Sequence, residues 1–391
     1  MRRSNWWACH LVLALLGCAP QPTLVASNCD DPKRCGKTEA LKIDAVDILL
    51  VVDSSPSIAS SARALKQELP QLLNAITSGA GEQGSFPAAR SVHVAVTTGD
   101  LGIGADGSLP GCNVLGQDGV FVKPGERELS CDVKLPSYLA FEGGPAAVAT
   151  VDTVSCVPLV GPQDQNSPVG CGYEQPLEAA LKALWPAADD SVQFLAGAGH
   201  GDAENAGFLR ENSLLVVVVV TDEDDCSAAD WSAFEQDGPV NLACLRHADK
   251  LRDTSRYVEA LRDLRPNNPN LIFAVIGGVP VELLRDEFRA DYDFTDEADV
   301  ARYYDAVLAD ARMQVRTMNE ESTFGRIVPS CNVIRTDGTS TWASPPRRLI
   351  ELAKAFGTRS VLGSLCGDSF GSNTGRLIRA IGERLANPAA E

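Results

Sequence analysis

The sequence predicts an α/β protein built on a doubly wound, mostly parallel β-sheet. Three features predict this class. Four short runs are mostly apolar, two of them throughout, amphipathic helical patterns lie between them, and this order persists from residue 46 to residue 315. Continuous apolar runs indicate strands buried on both faces, and strands that alternate with helices indicate parallel pairing through right-handed crossovers.

The predicted strands are short and rich in β-branched residues. Leu214–Val220 is the most regular of them, because its seven residues are all apolar and five are valine. The predicted helices carry apolar residues at helical spacing, and the last two are expected to complete an outer layer. The strands are Val46–Val52, Val92–Thr97, Leu214–Val220 and Leu271–Ile276, and the helices are Ile58–Ile76, Gln175–Leu184, Lys250–Leu264, Asp299–Val315, Arg347–Phe356 and Gly371–Leu385.

One domain is predicted over residues 44–391, with an insertion at 99–172. The insertion is rich in Gly and Pro and contains four cysteines. A structureless loop of that length is unusual in a compact domain, so a disulfide-stapled insertion is the better interpretation. It begins where the second strand ends, and ligands of such sheets bind outside the carboxyl ends of the strands. We therefore expect the insertion to overhang any site at that edge.

The N-terminus predicts export. Arg2 and Arg3 precede a short apolar run, Leu11–Leu16, which is too short to span a bilayer and is typical of a signal peptide over residues 1–17. The run ends in Leu-Leu-Gly-Cys at Cys18, which resembles the lipobox of bacterial lipoproteins. This resemblance implies lipidation of Cys18, a tether at 18–43 and a lipid anchor in the cell envelope, at the outer membrane because no Asp follows the Cys. Cleavage nearby in an ordinary secreted protein is the alternative.

The cysteines agree with an oxidising compartment. Of twelve in total, Cys9 lies in the signal peptide and Cys18 is the lipidation candidate, which leaves an even ten. No two of the ten have the C-x-x-C spacing typical of zinc sites. Pairing of neighbours is the simplest hypothesis, although connectivity does not follow from sequence. The hypothetical pairs are Cys29–Cys35, Cys112–Cys131, Cys156–Cys171, Cys226–Cys244 and Cys331–Cys366.

Charge and motifs argue against several functions. The formal net charge of -18 disfavours nucleic acid as a partner, because it repels the phosphate backbone. No Walker P-loop and no dinucleotide-binding fingerprint is present. Gly367–Gly371 satisfies the G-x-S-x-G pattern of a hydrolase, but the required downstream His is missing, since no His follows His247. The chain is therefore predicted not to be an enzyme.

Two polar segments follow predicted strands and suggest a site for a divalent cation. Asp53, Ser55 and Ser57 come directly after the first strand and offer three oxygen ligands, which hard cations such as Mg²⁺ prefer. A simple role for the serines in capping the next helix is the alternative. Thr221 and the four acidic residues 222–225 follow the strand Leu214–Val220. Strand ends of a parallel sheet open on one edge, so we expect the two segments to meet.

A buried strand ending in D-x-S-x-S before an amphipathic helix resembles the von Willebrand factor A (vWA) domain family, with its metal-ion-dependent adhesion site. The resemblance covers about residues 44–280 without the insertion. It implies metal ligands at Asp53, Ser55, Ser57 and Asp222, with Mg²⁺, Mn²⁺ or Ca²⁺ as the ion. It also implies a protein partner that supplies a carboxylate.

The sequence departs from the family at one ligand. The family carries a Thr before the helix that corresponds to Gln175–Leu184, and the residues here are Gly170–Gln175, without a Thr. Glu174 is the candidate replacement, and Thr97 or Thr98 at the end of the second strand is the alternative. An added carboxylate favours Ca²⁺ over Mg²⁺ or a purely structural site. The leading hypothesis is a metal-dependent binding module, and the alternative is a structural envelope lipoprotein whose vWA-like fold no longer binds metal usefully.

Overall fold

A computed structural model describes residues 43–81, 84–103, 116–123, 137–142, 173–234, 238–266, 270–321, 325–334, 340–367 and 369–388. These residues all belong to one compact unit, Ala40–Glu391. Of the segments predicted before the domain, 1–17 lies outside the described residues, as does the tether 18–43 except for its last residue.

The centre of the fold is a six-stranded sheet. Its spatial order is β6-β5-β4-β1-β2-β3, and every neighbouring pair is parallel except the antiparallel pair β2 and β3 at one edge. The predicted mixed α/β class with a mostly parallel sheet is confirmed. The strands are β1 (Ala45–Val52), β2 (Ser91–Thr98), β3 (Leu139–Glu142), β4 (Leu214–Val220), β5 (Leu271–Gly277) and β6 (Ser360–Ser364).

Helices cover both faces of this sheet. Helices α1 and α8 pack on one face around Leu50, and α2, α4, α6 and α7 pack on the other around Leu49. Alternate residues of β1 therefore enter different cores, and this explains why all of its residues from Ile48 to Val52 are apolar. The helices are α1 (Ala59–Ser78), α2 (Pro176–Leu184), α3 (Ala243–Arg246), α4 (Ser255–Asp263), α5 (Asp286–Arg289), α6 (Glu297–Ala309), α7 (Arg347–Phe356) and α8 (Gly371–Ala386).

The ends of the helices follow from local chemistry. Helix α1 ends at Gly79, whose φ of 70° is left-handed and suits a residue without a side chain. Helix α6 begins two residues before the predicted Asp299, because the Asp296 carboxylate accepts the Asp299 N–H as an N-cap. It ends at Ala309, short of the predicted Val315, since Asp310 caps a separate short turn. Helix α4 begins at Ser255 rather than Lys250.

Two strands of the sheet, β3 and β6, were not predicted as members of it. The C-terminal third was expected to supply only an outer layer, but β6 is an edge strand of the sheet, paired in parallel with β5. Strand β3 lies inside the predicted insertion 99–172 and extends the sheet at the opposite edge. The insertion is therefore not wholly separate from the sheet. Both strands are short, and neither stands out from the flanking sequence by a long apolar run.

Small hairpins and disulfides lie around the sheet. The hairpin of Cys331–Ile334 and Ser340–Ala343 is held to the end of β6 by the disulfide Cys331–Cys366, and a second disulfide joins Cys226 to Cys244. Both match the predicted pairs. The other three predicted pairs lie outside the described residues. Two shorter hairpins pair Ala80–Gly81 with Gly84–Ser85 and Thr317–Met318 with Arg326–Ile327.

A buried ion pair marks the amino end of the sheet. Asp47 in β1 has no solvent exposure, and its Oδ1 accepts from the Arg210 guanidinium at 2.8 Å (Nε) and 2.5 Å (Nη2). Its Oδ2 accepts from the Arg210 N–H and from the Ser213 hydroxyl. Asp47 is thereby fully satisfied, and this end of β1 is structural.

Candidate metal site

Three strand ends bring the predicted ligands to one edge of the sheet. Strand β1 lies between β2 and β4, and its last residue, Val52, pairs with Thr98 on one side and with Val220 on the other. Asp53 continues this register, since its N–H donates to the Val220 carbonyl at 2.9 Å. The loops after β1, β2 and β4 therefore begin at the same level of the sheet.

The loop after β1 folds around the Asp53 carboxylate. Its Oδ1 accepts the Ser55 N–H at 2.7 Å, and its Oδ2 accepts the Thr221 hydroxyl at 2.8 Å. The Ser55 and Ser57 hydroxyls lie 2.8 Å apart. Neither serine supplies a side-chain cap to the short turn Pro56–Ile58 or to α1. The helix-capping interpretation of these serines is therefore not supported.

Asp222 faces this loop from the end of β4. Its side chain is 2% exposed and interacts with the Asp53 carboxyl and the Ser57 hydroxyl, while its Oδ1 has no hydrogen-bond partner. Its backbone carbonyl accepts the Ser344 N–H at 2.8 Å, which holds it in place. Residues 53 and 222 therefore lie close together, as the sequence predicted.

Glu174 reaches the same loop from the residues before α2. Its Oε1 accepts both the Ser54 N–H at 3.0 Å and the Ser54 hydroxyl at 2.9 Å. Its Oε2 is buried and has no hydrogen-bond partner. A side chain at position 99 would occupy this space, because an added Cβ at Gly99 would meet Glu174 Oε2 at 2.3 Å. Gly99 thus leaves room for the carboxylate.

The alternative threonine ligands are engaged elsewhere. The Thr97 hydroxyl donates to the Val120 carbonyl at 3.1 Å, and the Thr98 hydroxyl accepts the Asp100 N–H at 3.2 Å. Of Glu174, Thr97 and Thr98, it is Glu174 that contacts the Asp53 loop through Ser54.

Crowding of carboxyl groups dominates the electrostatics of the site. Burial and the nearby Asp53 carboxylate raise the pKa of Glu174 and of Asp222 well above their ordinary values. The same two causes raise the pKa of Glu223 to about 8. Each shift means that negative charge is costly here without a compensating cation.

The acidic run after β4 divides into two pairs. Asp222 and Glu223 interact with Asp53, whereas Asp224 and Asp225 interact with Arg348. The sequence did not reveal this division, because it depends on an arginine more than a hundred positions away. Arg348 thus offsets part of the negative charge of this second pair, although burial still raises the pKa of Asp224 to about 7.

Within the described residues, no group of three or more His, Cys, Asp and Glu side chains has the arrangement of a metal site. A cation at this edge would therefore need the serine hydroxyls as ligands together with the carboxylates. Asp53, Ser55, Ser57, Glu174 and Asp222 form a set of hydroxyl and carboxylate oxygens, which is the chemistry that Mg²⁺, Mn²⁺ and Ca²⁺ accept.

The histidines contact other parts of the fold. His93 in β2 lies 2.9 Å from the Phe208 carbonyl through Nδ1. His200 lies between two carboxylates, with Nδ1 2.7 Å from Glu204 and Nε2 3.2 Å from Asp118. The hydrogen bond to Asp118 is the main reason that the pKa of His200 is raised.

Comparison with known proteins places the chain in no family. No protein-family model matches it, and no curated protein matches it. The solved structure of proximal thread matrix protein 1 from the mussel byssus overlaps 61% of this chain and 38% of that chain, at 10% identity and a TM-score of 0.25. This overlap is too low to carry an argument about fold or function. Among the described helices, none combines the length and apolar character needed to cross a bilayer.

Proposed function

We propose that this chain is a non-enzymatic binding module with a doubly wound, vWA-like fold, which binds a protein partner through a divalent cation. One observation carries the proposal. Two buried carboxylate oxygens, Glu174 Oε2 and Asp222 Oδ1, have no hydrogen-bond partner, and both carboxyls interact with Asp53. Buried polar atoms are normally satisfied, and a cation among these oxygens would satisfy both.

The position of the site supports a role in binding. In open α/β sheets, ligands bind beyond the carboxyl ends of the strands, where the strand order changes direction. Strand β1 lies at that point here, between β2 and β4. Asp53 and Ser55 are buried, whereas Pro56 and Ser57 are exposed. An ion held by the buried residues would remain accessible to a partner carboxylate.

Thermal unfolding with EDTA or with added Mg²⁺, Mn²⁺ or Ca²⁺ tests the proposal. A cation at a hundred times its dissociation constant should stabilise the wild-type protein by about 2.7 kcal/mol. Asp53→Ala should abolish this stabilisation. Asp293→Ala is the matched control, because Asp293 accepts a backbone and a hydroxyl hydrogen bond from Thr295 in an exposed loop. An ion-independent melting temperature in the wild type would leave the structural lipoprotein as the better hypothesis.

The proposal places the module in the cell envelope. The predicted lipidation at Cys18 lies outside the described residues, and it would anchor the domain through the tether 18–43. Mass spectrometry of the mature N-terminus tests this part, because a diacylglyceryl group on Cys18 adds a defined mass. A free N-terminus at another residue would contradict it.

A further inference from the structure

Arg348 connects the acidic loop after β4 to helix α7. Its backbone N–H, in the first turn of α7, donates to Asp224 Oδ1 at 3.0 Å. Its guanidinium donates to Asp225 Oδ2 through Nε at 3.2 Å and through Nη2 at 3.1 Å. Nη2 also donates to the Arg252 carbonyl at 2.6 Å. One residue thus binds both acidic side chains that point away from the candidate metal site.

Asp225 extends this connection to Glu174. Its Oδ1 accepts the Leu177 N–H at 3.0 Å in the first turn of α2, three residues beyond Glu174. The next residue, Cys226, donates its N–H to the Glu174 carbonyl at 2.8 Å. Asp225 is 2% exposed, so these bonds are shielded from water. Asp225 therefore helps to position Glu174. Asp225 is itself held by Arg348 together with the Ser227 N–H at 3.2 Å and the Ser227 hydroxyl at 2.6 Å.

We infer that Arg348 is a positioning residue that determines which cation the site prefers. This inference rests on the proposed function. By binding Asp224 and Asp225, Arg348 prevents these carboxylates from turning towards the ion and fixes the loop that carries Asp222. Mg²⁺ demands near-octahedral geometry, whereas Ca²⁺ accepts more carboxylates and irregular geometry. A fixed loop with fewer available carboxylates shifts the preference towards the smaller ion, against the effect of Glu174, which favours Ca²⁺.

Removing the guanidinium should change ion preference. In Arg348→Met, Asp225 loses its guanidinium partner, whereas Asp224 keeps the bond from the backbone N–H of residue 348. The loop after β4 is then held less firmly, so the Mg²⁺ site loses its regular geometry while Ca²⁺ gains possible ligands. Loss of a residue that orients metal ligands costs about tenfold or more in affinity. We expect the dissociation constant for Mg²⁺ to rise by about tenfold, and that for Ca²⁺ to rise by less than about threefold.

Isothermal titration with each ion measures both constants. Arg210→Met is the matched control, because it removes an arginine from a buried ion pair at the amino end of the sheet and should leave both constants unchanged. Arg348→Lys keeps the charge and the backbone bond to Asp224, so it should recover most of the Mg²⁺ affinity, and it also serves if Arg348→Met does not fold.

Three outcomes would overturn the inference. Equal changes for Mg²⁺ and Ca²⁺, or none, would mean that Arg348 has no part in ion preference. The same change in Arg210→Met would mean that general destabilisation is the cause. A wild-type protein that binds neither ion would instead refute the proposed function, and this inference with it.

Discussion

Replacing Glu174 with Gln separates its two possible roles. Glu174 holds Ser54 through Oε1 and, in the proposed site, offers Oε2 to the ion. Glutamine keeps an oxygen that accepts from Ser54 but removes the negative charge. Without a cation, that charge is unfavourable, because Glu174 is buried beside Asp53. We therefore expect Glu174→Gln to stabilise the protein in EDTA and to lose the stabilisation by cation.

The magnitude follows from the competing interactions. Two unit charges about 4 Å apart repel by about 4 kcal/mol at an effective dielectric constant of about 20. The hydrogen bonds from the Ser54 N–H and hydroxyl each weaken by about 1 kcal/mol when the acceptor becomes neutral. The net gain in EDTA is at most about 2 kcal/mol, or about 4 °C in melting temperature for a domain of this size, because protonation of Glu174 at its raised pKa already relieves part of the repulsion. In saturating cation, the variant should lack the stabilisation of about 2.7 kcal/mol that the wild-type protein receives from the bound ion.

Melting curves in EDTA and in excess Mg²⁺ or Ca²⁺ measure both effects. Glu178→Gln is the matched control, since Glu178 is equally buried but lies 3.1 Å from both the Arg252 and Arg256 guanidinium groups. Breaking this compensated pair should destabilise the protein by about 3 kcal/mol and leave the response to cation intact. A lower melting temperature of Glu174→Gln in EDTA would refute the repulsion argument. A full response to cation would show that Glu174 is not a ligand.

Two further predictions concern parts of the fold outside the ligand set. The raised pKa of His200 means that its bonds to Asp118 and Glu204 stabilise the protein below pH 6.5, and this stability is lost as the pH rises through the raised value. Melting temperatures from pH 5 to pH 9 should decline less steeply in His200→Asn than in the wild type, because the buried carboxyls with raised pKa contribute a decline to both proteins. The disulfide Cys226–Cys244 joins residues with a sequence separation of 18. The variant with both cysteines replaced by Ser should therefore lose about 3 kcal/mol of unfolding free energy, measured with denaturant. A loss below about 1 kcal/mol would mean that the folded loop is held by its other contacts.

The main sheet was predictable because burial on both faces leaves a clear pattern. Leu214–Val220 has the same bounds in sequence and structure, since no residue of β4 needs to face water. Strands β3 and β6 were missed as sheet members because they are short edge strands. An edge strand is paired with a neighbour on one side only, and these two strands have short apolar runs that give little indication of a strand in the sequence. The ends of α6 differ from the prediction because the Asp296 and Asp310 side chains cap local turns. The start of α4 at Ser255 rather than Lys250 has no side-chain cap to explain it.

Parallel pairing alone predicted the ligands that follow strands, whereas Glu174 was proposed from the vWA resemblance with Thr97 or Thr98 as the alternative. Asp53 and Asp222 come directly after β1 and β4, so parallel pairing alone brings them to one edge. Glu174 follows no strand, and its place beside Ser54 depends on hydrogen bonds across 120 positions. The choice between Glu174 and the threonines at 97 and 98 therefore required coordinates, since all three positions lie near that edge.

The acidic run 222–225 shows why a cluster of like charges can serve two purposes. Asp222 and Glu223 lie towards Asp53, where no arginine or lysine compensates them among the contacts described above. Asp224 and Asp225 instead accept N–H groups from the first turns of α7 and α2 and pair with Arg348. Carboxylates at helix N-termini are favourable, so this second pair stabilises the fold itself. Among the described residues, Asp222 and Glu223 have no such partner, and the charge beside Asp53 can be relieved either by protonation, which their raised pKa values favour, or by the cation that we propose.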